Sequence, residues 1–147
     1  MRKIPTLLVA ASVALVLFSS CASKPVVIPD DITAAELIQR AQESSDKEDW
    51  ENAILYYETA RDRFGSDPSV LVACEYETAF IHYKQGKLQL AEQEFTALIE
   101  KYESAEGAAL PPSYLILTRK VLPKVQEKLK SDLKKDEQTE KEQPATE

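Results

Sequence analysis

Two stretches of this chain, 38 residues apart, carry one helical pattern. Trp50-x-x-Ala53-x-x-x-Tyr57-x-x-Ala60 returns as Leu88-x-x-Ala91-x-x-x-Phe95-x-x-Leu98. Offsets of three and four keep these residues on a single helical face. Twelve residues before each central alanine stands another, Ala41 and Ala79. A small side chain there lets two helices approach closely, and the aromatic at Tyr57 or Phe95 fills the space beyond. Each unit is thus a helix hairpin, too small to bury its apolar face alone, so the units must stack. The competing interpretation is a generic helical bundle in which the alanines coincide by chance.

The punctuation agrees with helices. Thr33-Ala34-Ala35-Glu36 is a capping box that opens a helix at Ala34, running to about Ser45. Asp49 caps a second, whose apolar face is Trp50, Ala53, Ile54, Tyr57, Ala60 and Phe64, and Gly65 stops it. Asp67-Pro68 starts a third, with the proline in the first turn, and Gly86 ends it after Gln85. The fourth carries Leu88, Ala91, Phe95, Leu98, Ile99 and Tyr102. After a loop from Ser104 to Leu110, Pro111-Pro112-Ser113 opens the last segment. Its stripe of Leu115, Thr118, Leu122, Val125, Leu129 and Leu133 continues across Pro123, which predicts one kinked helix. Lys120, Lys124, Glu127, Lys128 and Lys130 take the opposite side, and an apolar inner face with a charged outer one suits a terminal cap. No stretch alternates with the period of a strand. From Ser131 to Glu147 the chain mixes Lys with Asp, Glu and Gln and is expected to be a disordered charged tail.

The repeated pattern resembles the tetratricopeptide repeat (TPR). Ala41, Trp50, Ala53, Tyr57 and Ala60 fall on its small-large-small positions in the first unit, and Ala79, Gly86, Leu88, Ala91, Phe95 and Leu98 in the second. The likeness covers Ala34 to about Tyr102. It implies an all-α fold: a short TPR-like helical-hairpin array of two repeats, closed by a C-terminal capping helix, over residues 33–130. The spacing of 38 exceeds the family's 34 by about one helical turn, which lengthens either the Gly65–Pro68 link or the helix after it. Glu75 stands where the family has a large apolar residue. Lengthened repeats of this kind are similar to those of exported bacterial proteins, including the repeat lipoprotein of the outer-membrane barrel-assembly machinery.

The first twenty residues read as a secretory signal peptide. Arg2 and Lys3 precede an apolar run from Ile4 to Phe18, and Ser19-Ser20 lead into Cys21. The run falls short of the roughly 20 residues a membrane span needs. Small residues before a cysteine resemble the lipobox of bacterial lipoproteins, which implies cleavage before Cys21, acylation of Cys21 and export. Phe18 replaces the usual leucine, a variation accepted more readily in spirochaetes. Ala22 and Ser23 carry no aspartate that would retain the protein in the inner membrane, so the outer membrane, facing the periplasm, is expected. The alternative is an ordinary signal peptide cleaved near Ala22 or Ser23. Residues 21–32 then form a short lipidated tether.

Charge and chemistry narrow the function. The chain carries a net charge of −7, and loses two further positive charges with Arg2 and Lys3. Such a chain repels phosphate backbones, so no nucleic-acid partner is expected. No cluster holds an anionic membrane surface, which leaves anchoring to lipid on Cys21. Cys74 lies in an apolar helix and reads as a small buried hydrophobe. His82 is the only histidine, so no zinc pair can form. No nucleophile elbow, phosphate loop or dinucleotide fingerprint occurs. Neither enzyme activity, cofactor nor metal is expected. One constellation is positive: Tyr76, Phe80 and Tyr83 share a face of the third helix, with Ile38 and Gln42 at the matching places in the first unit. On the repeat template this is the concave, partner-binding side. It would be covered by an envelope protein, a second copy or the chain's own last helix. These residues point to a lipid-anchored adaptor for protein–protein interaction in the cell envelope. The alternative is a small-molecule or lipid carrier with an apolar cavity between the aromatics and the last helix.

Overall fold

A computed structural model describes residues 26–105 and 107–142. Five helices follow in order: α1 (Ala34–Asp46), α2 (Trp50–Phe64), α3 (Pro68–Lys84), α4 (Leu88–Glu103) and α5 (Pro112–Glu142), with a 3-10 turn at Gly107–Ala109. Among the described residues there is no strand. α1 packs on α2 and α3 on α4, α2 joins the two hairpins through α3, and α5 closes the array mainly against α4. The fold is the expected all-α hairpin array with a terminal helix.

Local chemistry sets each start. The Thr33 hydroxyl accepts from the Glu36 N–H at 3.3 Å, and the Glu36 carboxylate accepts from the Thr33 N–H at 3.0 Å. Asp49 accepts from the Asn52 N–H at 3.4 Å and Asp67 from the Ser69 N–H at 2.8 Å. The turns inside the hairpins repeat to the hydrogen bond. Asp49 N–H donates to Ser44 O at 2.9 Å, and 38 residues later Lys87 N–H donates to His82 O at 2.9 Å. Each turn needs one left-handed residue, Glu48 at φ 57° and Gly86 at φ 77°. Glycine takes that conformation without strain, whereas glutamate does not.

The excess of four residues between units now has a location. α1 has 13 residues and α3 has 17, while both end five residues after their alanines, Ala41 and Ala79. The extra turn is therefore the start of α3, from Pro68, and the Gly65–Asp67 link stays short.

Two apolar clusters hold the array. The first gathers Ile32, Leu37, Ala41, Ala53, Tyr57, Ala60, Cys74 and Ile81, the second Val72, Tyr76, Ala79, Leu88, Ala91, Phe95, Leu98 and Val125. Ala41, Ala53, Ala79, Ala91 and Phe95 are 0% exposed and Tyr57 is 1% exposed, as the repeat pattern requires. Trp50 differs. It is half-buried against the first cluster because it opens α2, and the Lys84 ammonium sits 5.3 Å from its ring centroid.

The tail is also corrected. α5 runs unbroken past Pro123 and Ser131 to Glu142, so residues 131–142 are helical and not disordered. Lys, Glu, Gln and Leu favour helix, no glycine or proline interrupts before Pro144, and Lys135 pairs with Asp132 at 3.8 Å. Residues 1–25, and with them the signal segment and Cys21, lie outside the described residues. Among those described, no helix is long and apolar enough to cross a membrane.

Candidate functional site

α3 is the helix on which any site must be built, because it lies between the two clusters. Cys74 and Ile81 face the first, and Val72, Tyr76 and Ala79 the second. Two narrow flanks remain between these faces. One carries Glu75, Thr78 and His82; the other carries Glu77 and, a turn on, Phe80 and Lys84.

The predicted partner face lies at the edge of the second flank, and α5 covers part of it. Tyr76 is 6% exposed, and its ring lies 5.7 Å from Phe95 and 5.5 Å from Tyr114 of α5. Phe80 stacks on Tyr76 at 6.1 Å and is half-buried. Tyr83 packs in the same cluster, with the Lys128 ammonium 5.8 Å from its ring. Of the three expected covers, the one found is the chain's own last helix. The physical reason is register. Tyr114 follows Tyr76 by 38 residues, so α5 stacks on α3 as α3 stacks on α1, and it brings Val121, Leu122 and Leu129 against the second cluster. In the first unit Ile38 packs half-buried on the first cluster, and Gln42 is exposed.

What the second flank leaves open is Glu77, which the sequence reading did not single out. Burial pushes its carboxyl above the ordinary range. Its charge in turn helps to raise the hydroxyls of Tyr57, Tyr76 and Tyr114, after their own burial. Those tyrosines belong to α2, α3 and α5. No cation among the described residues pairs with it. Sequence could have flagged it only as a charged residue inside an otherwise apolar helix.

The first flank holds a cavity of about 210 Å³ lined by Arg61, Glu75, Thr78, Glu94, Ala97, Leu98 and Lys101. Its charges are already matched. Lys101 donates to Glu75, which explains a glutamate at an apolar repeat position, and His82 Nδ1 lies 2.7 Å from Glu94. Cys74, beside it in sequence, is 1% exposed, and burial pushes its thiol up to about 11. It is a packing residue, and no group of metal-ligating side chains gathers among the described residues.

A second open groove, of about 430 Å³, crosses α2 and the α3–α4 turn. Glu51, Ile54, Leu55, Glu58, Gln85 and Lys87 line it. Gln85 Oε1 is buried and accepts no hydrogen bond.

No protein-family model and no solved structure matches the chain. An uncharacterized protein of Treponema pallidum (strain Nichols) is 41% identical over 101 residues, 67% of this chain. The chain spans about two fifths of that relative's length, the match covering 40% of it.

Proposed function

We propose that this chain is a lipid-anchored, TPR-like adaptor of the bacterial envelope that holds a segment of another protein against the inner flank of α3. The observation that carries the reading is Glu77. A half-buried carboxylate without a cation is costly to the free chain. A partner's lysine or arginine would supply the missing charge. The lipobox-like run into Cys21 supports anchoring, and a relative in a spirochaete accords with Phe18 in that run.

Affinity purification of the acylated chain from its own envelope tests this. Wild type should retain a partner that Glu77→Gln loses, with the melting temperature unchanged or raised. A partner set identical for both chains removes Glu77 as the site. A mature N-terminus at Ala22 or later, found by mass spectrometry, ends the lipoprotein part of the proposal.

A further inference from the structure

The 38-residue register makes α5 the first helix of a third unit, and its hairpin side is bare. Leu117 stands 38 residues after Ala79, as Ala79 stands 38 after Ala41. Ala41 and Ala79 are 0% exposed against the second helices of their hairpins. Leu117 is 39% exposed and its neighbour Ile116 is 55% exposed. Lys120 and Lys124 share that face at helical spacing. The bare face is thus an apolar pair followed by two lysines, with Glu127 one turn beyond.

The complement exists in the same chain. The groove on α2 has Ile54 and the exposed Leu55 at its floor, with Glu51 and Glu58 one turn to either side. Glu51 to Glu58 and Ile116 to Lys124 each span roughly 10–12 Å of helix. Lys87 lines the groove with them.

We infer that this chain associates with copies of itself head to tail: the bare face of α5 receives the outer face of α2 of a neighbour. Ile116 and Leu117 meet Ile54 and Leu55, and Lys120 and Lys124 meet Glu51 and Glu58. The two surfaces are different patches of one chain, so the contact is heterologous and extends with concentration unless it closes into a ring. This surface is independent of Glu77 and does not rest on the adaptor reading.

The test uses the full chain in detergent micelles, unlabelled and 15N-labelled copies mixed, with a carbodiimide that joins amines to carboxylates in contact. Mixed-isotope links from Lys120 or Lys124 to Glu51 or Glu58 are expected, and they should fade at about 1 M salt, where charges are screened beyond about 3 Å. Two charge-reversed variants sharpen it: Lys120→Glu with Lys124→Glu, and Glu51→Lys with Glu58→Lys. Each alone should self-associate at least about tenfold more weakly than wild type in sedimentation. Mixed together they should recover association, because each reversed face then meets an opposite one. Unchanged association of either variant, or a mixture of normally melting variants that stays monomeric, overturns the inference. A wild-type chain that stays monomeric yet sediments with anionic vesicles through Lys120 and Lys124 overturns it too, and makes the face a membrane contact. If a variant fails to fold, the wild-type isotope links decide alone.

Discussion

Ala91→Leu tests the hairpin packing most directly. Ala91 is 0% exposed in the second cluster, among Ala79, Leu88, Phe95 and Val125. Leucine adds three carbons where α3 and α4 touch. Free burial of three methylene-sized groups would gain about 2.4 kcal/mol, but the site has no exposed surface to give up. The added volume must be met by off-rotamer side chains or by spreading the helices, at a net cost of about 1–3 kcal/mol. For a domain of this size each kcal/mol lowers the melting temperature by roughly 4 °C, so a fall of roughly 4–12 °C is expected. Ala97→Leu on the same helix is the control. Ala97 is exposed at the cavity rim, so the same change, with the same helix propensity, should shift melting by less than about 0.5 kcal/mol. Equal melting of the two variants by circular dichroism would refute the packing argument and the repeat register with it.

Burial raises the Glu77 carboxyl above its ordinary 4.5, so the folded chain binds that proton more tightly than the unfolded one. Its contribution to stability is therefore greatest below about pH 4.5 and falls as the pH climbs through the folded value; Glu77→Gln should flatten that fall and raise melting at pH 7 in paired thermal scans. Glu48→Gly should add about 0.5–1 kcal/mol by relieving a left-handed glutamate, and Gly86→Ala should cost about 1 kcal/mol by creating one; denaturant midpoints measure both, and opposite signs would contradict the turn geometry. The Cys74 thiol, buried and pushed up to about 11, should react with a thiol reagent at pH 8 far more slowly in the native chain than in the denatured one.

Much of this fold was legible because its determinants are local. Thr33, Asp49 and Asp67 mark helix starts by side-chain chemistry that acts within three residues. The alanine and aromatic positions mark the hairpins by volume. The extra turn in α3 was harder to place, since an insertion of four residues keeps the helical face whether it falls in the link or in the helix. The tail was misread for a related reason. Composition shows that residues 131–142 cannot bury a core, yet helix formation there needs only propensity and an upstream helix to extend, which supplies the nucleus.

The site divides along the same line. Helical spacing placed Tyr76, Phe80 and Tyr83 on one face, but whether that face is groove or core depends on where a helix thirty residues on comes to rest. Tyr114 at 5.5 Å from Tyr76 answers that, and only the 38-residue register, extended from Ile38 through Tyr76 to Tyr114, could have said so in advance. Carried one step further, the same register sets Leu117 on Ala41 and Ala79, and so turns an ordinary exposed leucine into a position with a missing neighbour. Glu77 has no such signal, because a lone glutamate in a helix is more often solvated than half-buried. What isolates it is its setting: burial raises its carboxyl, and no cation among the described residues pairs with it. The two open features thus differ in kind. The bare face of α5 is an interrupted repeat that another helix can complete, whereas Glu77 is an uncompensated charge that calls for a single cationic side chain.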